Sequence, residues 1–353
     1  MNLIITLTVG TLGGYLLYKL KAPAGMLVGA IIAVSFLSIF TSFADIPTDA
    51  KVCAQIITGA YIGSSITKDD VKKLPEIFGP YLMVMGTFLV LNMLMGFIIY
   101  FVSPLDLLTA LLCAMPGGIS DTPLIAMDMG ADVPKVALLQ FVRMVFGIST
   151  LPLIISFVNK LFSNHEAKNS SAAPIENKSK PAAKSSAKVD KAVWITLAIS
   201  AVCGILGNMA PVSAGALIFS MASAIALKML YPKAHLPLWF RRIAQILSGC
   251  VIGCRIKRSD VLDLKYLIVP AVLLVLGYII NCILTGVLLN KMFGISKLEG
   301  MLSASPAGAT EMALIAADLG VTSPNLIVLQ LGRLIGVVAL FPQVIGLVVA
   351  VFS

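Results

Sequence analysis

The sequence repeats itself after 190 residues without a gap. The segment Ala114–Asp121, which reads AMPGGISD, returns as Ala304–Glu311, which reads ASPAGATE. Identical residues keep the same offset on both sides of this segment: Gln55 and Gln245, Gly59 and Gly249, Gly63 and Gly253, Asp128 and Asp318, Gln140 and Gln330, Arg143 and Arg333. A duplication of the whole chain, with prolines, glycines and charges inside hydrophobic runs, is typical of membrane transporters.

The composition excludes a soluble globular domain. The chain is 58% hydrophobic and 12% charged, and its mean hydropathy is +0.97. Long apolar stretches recur, and about 20 such residues span a bilayer as a helix. We therefore predict a multi-pass protein of the cytoplasmic membrane. The first apolar run, residues 2–18, aligns with residues 191–208, so we expect a structural helix there and not a signal peptide.

The net charge of +9 does not indicate a nucleic-acid-binding protein. Basic residues collect in the loops, where they set membrane topology and meet lipid headgroups. No basic stripe with interleaved aromatic residues is present. The expected partners are therefore the lipid bilayer and a small-molecule substrate, with no nucleic acid.

The chain divides into two all-α repeats and a linker. We predict a transmembrane repeat at 1–160, a flexible basic linker at 161–190 and a second transmembrane repeat at 191–353. The predicted helices of the first half are 2–18, 24–42, 50–66, 77–102 and 134–159, with an interrupted segment at 105–130. Those of the second half are 191–209, 212–230, 240–256, 266–290 and 324–352, with an interrupted segment at 296–320.

The interrupted segments decide the topology. If they cross the membrane, each half has six crossings and the repeats are parallel. If they turn back, each half has five crossings and the repeats are inverted. The distribution of lysine and arginine between the two sides favours the inverted arrangement.

The interrupted segments also place two carboxyl groups inside the membrane. Pro116, Gly117 and Gly118 predict a break in the helix, since proline removes a donor and glycine weakens a helix. Non-helical backbone at membrane depth survives only inside protein or beside a wet cavity. The residues that follow are Ser120 and Asp121 in the first copy, and Gly308, Thr310 and Glu311 in the second. We predict a midplane site there for a proton, a cation or a cationic substrate.

Further ionisable and amide side chains follow each break. They are Gln140 and Arg143 on the next helix, their copies Gln330 and Arg333, and the pair Asp128 and Asp318 near the segment ends. Arg143 lies roughly 14 Å from a helix start at Pro134, near the midplane. These residues either belong to the site or form buried struts, in which Arg143 pairs with Asp121 or Asp128.

At these residues the chain resembles the membrane AbrB family, which is defined by a duplicated transmembrane domain. The segments Pro116–Arg143 and Pro306–Arg333 carry the resemblance. The first also looks like the broken helix of bile-acid/sodium symporter-like carriers, although Asp121 stands where that pattern has asparagine. This resemblance implies that a core domain moves against a scaffold to give alternating access.

Some members of the membrane AbrB family carry labels that name an ammonia monooxygenase, but the residues do not fit this enzyme. Copper or di-iron chemistry needs clustered histidines, or histidines with carboxylates. The chain has two histidines, His165 in the linker and His235 in a polar loop. We therefore expect neither an enzyme, nor a cofactor, nor a metal centre.

Two functional hypotheses follow from these patterns. The first is a secondary active transporter of a small polar or charged solute, in which Asp121 and Glu311 exchange the coupling ion; we expect H⁺ ahead of Na⁺. Gly117, Gly118 and Gly308 would let the backbone approach the solute. The second is a membrane regulator that binds a ligand and acts through the basic linker without transport. The Gly-x-x-x-Gly pairs at 59 and 249 allow close helix packing, within the fold or at a homodimer interface.

Overall fold

A computed structural model of the chain describes residues 2–22, 24–41, 43–47, 49–151, 154–155, 190–306, 312, 316 and 324–352. The regular structure of these residues is helical, with no strand among them. The first half contains α1 (Asn2–Lys19), α2 (Gly25–Phe40), α3 (Asp49–Ser65), α4 (Lys68–Val102), α5 (Leu107–Ala114), α6 (Asp121–Met129) and α7 (Val133–Ser149).

The second half follows the same order. It contains α8 (Lys191–Met209), α9 (Gly215–Leu230), α10 (Leu238–Gly253), α11 (Arg258–Leu262), a 3₁₀ helix (Asp263–Leu267), α12 (Ile268–Phe293), α13 (Lys297–Ser303) and α14 (Pro324–Phe352).

Several of these helices are long and apolar enough to cross a membrane. In the described part of the chain, four segments meet this criterion by length and composition: Pro75–Val102, Lys191–Met209, Lys265–Phe293 and Asn325–Phe352. Two shorter apolar helices are Gly25–Phe40 and Gly215–Leu230. The prediction of a multi-pass, all-helical membrane protein is confirmed.

The helices form two bodies. We call α1–α3 together with α8–α10 the scaffold, and α4–α7 together with α12–α14 the core, because each set packs chiefly within itself. Glycines bring the scaffold helices into close contact. Gly59 faces the backbone of α9 at Leu217, and its repeat counterpart Gly249 faces the backbone of α2 at Leu27. Both Gly-x-x-x-Gly pairs therefore pack inside the fold of one chain.

The two halves are inverted with respect to each other. In the core, α4 and α12 occupy the same place in their repeats and pack side by side. Gly79 of α4 contacts Phe293 of α12, and Met95 packs against Gly277. Residue numbers rise along α4 as they fall along α12, so these equivalent helices run antiparallel. Inverted repeats were predicted, and the fold has them.

The first interrupted segment turns back. Asp132, just after α6, donates its backbone N–H to the Thr109 hydroxyl near the start of α5, at 3.0 Å. The beginning of α5 and the end of α6 therefore lie at the same membrane surface. These helices have eight and nine residues, about 12–14 Å at 1.5 Å per residue, which reaches the middle of a ~30 Å hydrocarbon layer. Of the two topologies left open, the structure has the re-entrant hairpin.

Two ends of the bundle serve as landmarks. The Lys51 face is the end where α3 begins and where α6 and α10 finish, since Lys51, Met127 and Cys254 line one cavity there. The Arg241 face is the opposite end, where α10 begins and the Arg241 guanidinium lies over the ring of Tyr61 near the end of α3.

Some predicted helix bounds were wrong. Helix α4 begins at Lys68, not at 77, because Thr67 and Asp70 form a capping box in which each side chain accepts from the other's backbone N–H. Its early part continues through Pro75 and Pro80. Helix α10 spans Leu238–Gly253 and not 240–256, since Cys254 closes its last turn. The predicted linker, apart from Asp190, lies outside the described residues.

Candidate functional site

The tip of the re-entrant hairpin lies where α5 ends. Helix α5 ends at Ala114, and the last carbonyl groups of a helix have no partner within it. Gln140 of α7 meets this need, since its Nε2 donates to the carbonyl oxygens of Leu112 at 3.2 Å and Met115 at 3.0 Å. Gln140 is fully buried. Its role is therefore to hold the broken helix against α7.

Arg143 binds the same helix end one turn further along α7. Its Nη1 donates to the Met115 carbonyl oxygen at 2.8 Å, and its Nη2 donates to that of Gly117. A cation at a helix C-terminus interacts favourably with the helix dipole. The expected pairing of Arg143 with a carboxylate is not found among the described residues. Arg143 is a strut, but it acts on backbone carbonyl groups.

The second repeat builds the same arrangement. Gln330 donates to the carbonyl oxygen of Leu302 at 2.6 Å, and Arg333 donates to that of Ser305. The two arginines also face equivalent aromatic rings: Arg143 lies 5.8 Å from the centre of Tyr278, and Arg333 lies 5.2 Å from that of Phe88. The Tyr278 hydroxyl donates to the Ala114 carbonyl oxygen at 3.1 Å, so α12 reaches the break in the first repeat.

Asp121 occupies the first turn of α6, just beyond the break. It is 5% exposed, and its carboxylate has no hydrogen bond or ion pair with the residues that the structure describes. The guanidinium groups of Arg241 and Arg143 lie near enough for their charges to interact with it. A negative charge is favourable at a helix N-terminus. The described residues therefore act on this buried carboxylate through charge alone.

The two glycines of the motif make room for polar side chains. A methyl group at Gly118 would overlap Oδ2 of Asp121, and a methyl group at Gly117 would overlap the Thr122 hydroxyl. Thr122 is fully buried, and its Oγ1 has no hydrogen-bond partner in the part of the chain that the structure describes. The break therefore places the Asp121 carboxylate and the Thr122 hydroxyl directly against the backbone of the two glycines. Ser120 precedes them and is partly exposed.

Asp128 lies away from this cluster, at the far end of α6. Its carboxylate accepts from the Lys51 ammonium and from Nε2 of Gln55, which both belong to scaffold helix α3. Sequence reasoning did not select Lys51. The duplication could have indicated it, because Arg241 stands 190 residues after Lys51 and is also basic.

The remaining predicted site residues, Gly308, Thr310, Glu311 and Asp318, lie outside the described residues. In the described part of the chain, no three His, Cys, Asp or Glu side chains come together in a way that could hold a metal ion.

Comparison with known proteins agrees with the duplicated fold. The family model described as "Transition state regulatory protein AbrB" matches twice, at residues 1–159 and 153–349. The chain belongs to the AbrB family. The duplication found in the sequence and the inverted halves of the fold correspond to these two matches.

Two relatives of the chain align over nearly its whole length. The "Uncharacterized protein YhjN" of Bacillus subtilis (strain 168) is 22% identical over 363 residues, which cover 95% of this chain and 90% of that protein. The "Putative regulator AbrB" of Escherichia coli (strain K12) is 23% identical over 323 residues, which cover 91% and 89%.

Proposed function

We propose that this AbrB-family membrane protein is a secondary active transporter of a small polar or charged solute in the cytoplasmic membrane. Asp121 and, by the repeat, Glu311 exchange the coupled ion at the broken helices. The proposal is for a carrier that acts without enzymatic chemistry or a cofactor.

The observation that carries the proposal is the state of Asp121. A buried charge without a partner is costly, so a purely structural carboxylate is normally paired or hydrogen-bonded. Asp128 has such partners, whereas Asp121 has none among the described residues. An intramembrane ionisable residue of this kind is typical of ion and substrate pathways.

The architecture supports a carrier over a static binding protein. Inverted repeats place a discontinuous helix from each half near the middle of the membrane, where transporters bind substrates and coupling ions. The core contains the described broken helix ends, and the scaffold packs beside it with glycine-mediated contacts of its own. A core that moves as one body can expose Asp121 to each side in turn.

The surroundings of Asp121 favour H⁺ over Na⁺ as the coupled ion. The guanidinium groups of Arg143 and Arg241 act on this carboxylate. Their charges oppose the binding of either cation, but a proton needs no ligand beyond the carboxyl group itself. Na⁺ would need further oxygen ligands, and the buried Thr122 hydroxyl next to Asp121 in the chain is one that lacks a hydrogen-bond partner among the described residues.

The test is a current measurement on a solid-supported membrane. Purified protein in liposomes receives pulses of pH, Na⁺ and a panel of amines, amino acids and organic acids. The wild type is compared with the double variant Asp121→Asn/Glu311→Gln. We expect a solute-dependent current that the double variant lacks. A current of equal size in both proteins would remove the proposed role of the two carboxyl groups.

The regulator hypothesis remains a second candidate because of the name that the Escherichia coli relative carries. A regulator that acts through its basic linker needs that linker, whereas a transporter does not. Deletion of residues 168–188 should therefore leave solute-dependent currents intact. If the deletion abolishes the activity of the protein in cells while the protein remains folded in the membrane, the regulator hypothesis is favoured.

A further inference from the structure

An ion pair joins the core to the scaffold at the Lys51 face. The Lys51 ammonium donates to Oδ1 of Asp128, and Gln55 donates through Nε2 to Oδ2 of the same carboxylate. Nε2 of Gln55 also reaches the Leu124 carbonyl oxygen at 3.4 Å. Lys51 and Gln55 are four residues apart on α3, so they share one helix face. We call Lys51, Gln55 and Asp128 the latch.

The latch lies between water and the membrane interior. The Lys51 and Asp128 side chains are each 15% exposed, and Gln55 is fully buried. A cavity of about 180 Å³ at the same face is lined by Lys51 and by Met127, the residue before Asp128. The latch therefore fastens the returning arm of the hairpin, α6, to the scaffold below a water-accessible hollow.

Among the described residues, the opposite end of the protein differs, although the sequence repeats; Asp318, the counterpart of Asp128, lies outside them. The counterpart of Lys51 is Arg241, and it forms no ion pair with the residues that the structure describes. Its guanidinium lies 6.0 Å from the ring centre of Tyr61 and near enough to Asp121 for their charges to interact. The charge near Asp121 therefore belongs to the Arg241 face, whereas the latch lies at the other end of α6, between Asp121 and the Lys51 face.

We propose that the latch holds the transporter in the conformation that is closed at the Lys51 face, and that its opening exposes the hairpin tip to that face. The inference builds on the proposed function, because it names the contact that must break and re-form in each transport cycle. The strength of the contact suits this task. A partly exposed ion pair shifts a two-state equilibrium by about tenfold or less, so it biases the core without fixing it.

The test is the accessibility of the hairpin tip from each side of the membrane. Ser120→Cys serves as the reporter in a background in which the three cysteines that are not buried, Cys53, Cys203 and Cys254, are alanine. A membrane-impermeant sulfonated maleimide is added to oriented vesicles from one side at a time. With the latch intact, we expect the reporter to react from the Arg241 face and to be protected from the Lys51 face.

Two conservative variants open the latch. Lys51→Met keeps the length of the side chain without its charge, and Asp128→Asn keeps the shape of the carboxyl group. Each should raise the labelling rate from the Lys51 face by up to about tenfold. Lys135→Met is the matched control, since it removes an ion pair of the same kind, with Asp132, that lies within the core and does not reach the scaffold. It should leave protection from the Lys51 face unchanged.

The charge swap Lys51→Asp/Asp128→Lys should restore protection from the Lys51 face. Equal labelling from both faces with the latch intact would contradict the proposal, as would Lys51→Met and Asp128→Asn rates no higher than that of Lys135→Met. The readout requires no transported solute. A failure of the latch is therefore distinguishable from a failure of the transporter proposal, which is tested by solute-dependent current.

Discussion

Replacing Asp121 with asparagine should stabilise the protein while it abolishes coupled transport. Asparagine has nearly the same volume, so the change opens no cavity and removes only the charge. The effective penalty for an unpaired buried ion is several kcal/mol, and attraction from Arg143 and Arg241 offsets part of it. We expect a net gain of about 1–2 kcal/mol in the free energy of unfolding.

Asp128 provides a matched comparison within the same helix. Its carboxylate has the Lys51 ammonium and the Gln55 amide as partners, so Asp128→Asn leaves a partly buried ammonium without its counter-ion. This variant should lose about 1 kcal/mol. Thermal unfolding in detergent measures both effects, and 1 kcal/mol corresponds to roughly 2–4 °C in Tm for domains of 150–250 residues. A loss of Tm in Asp121→Asn as large as that in Asp128→Asn would refute the reasoning and make Asp121 a structural strut.

Three further predictions concern the packing around the hairpin and the scaffold. Gly118→Ala should lower the initial rate of solute transport by about tenfold or more, because the added methyl group displaces the Asp121 carboxylate. Gly86→Ala is the control, since its methyl group meets no described atom within 4 Å, and it should leave that rate unchanged. Arg143→Lys should lower the free energy of unfolding by about 1.5–3 kcal/mol, measured by thermal unfolding, since a single ammonium cannot make both guanidinium hydrogen bonds. Gly59→Leu should cost about 1–3 kcal/mol in the same assay through overlap with the backbone of α9, whereas Gly86→Leu should not.

Much of the architecture could be predicted from the chain itself. The constant offset of 190 residues identified both halves, and hydrophobic length identified most helices to within a few residues. The proline and glycines at 116–118 indicated the broken helix because their backbone chemistry is local. The start of α4 was missed because the capping box at Thr67 competes with the helix-breaking signal of Pro75 and Pro80, and a cap is weak evidence in a sequence read alone.

The partners of the charged residues could not be predicted in the same way. Arg143 had carboxylates nearby in the sequence, but in the fold the unpaired carbonyl groups at the end of α5 are closer to it. The Lys51–Asp128 pair joins residues 77 positions apart, on two different bodies. Such contacts depend on how helices pack, and periodicity within one helix contains no information about its neighbour.

The most direct test of the central claim is the accumulation of a solute against its own gradient. Liposomes containing the protein are given a pH gradient at zero membrane potential, together with the solute class that evokes a current, and the internal solute concentration is followed. The account predicts that the wild type accumulates the solute above the external concentration, and that Asp121→Asn allows at most equilibration. Accumulation by Asp121→Asn equal to that of the wild type, or a wild type that never exceeds equilibrium, would contradict it.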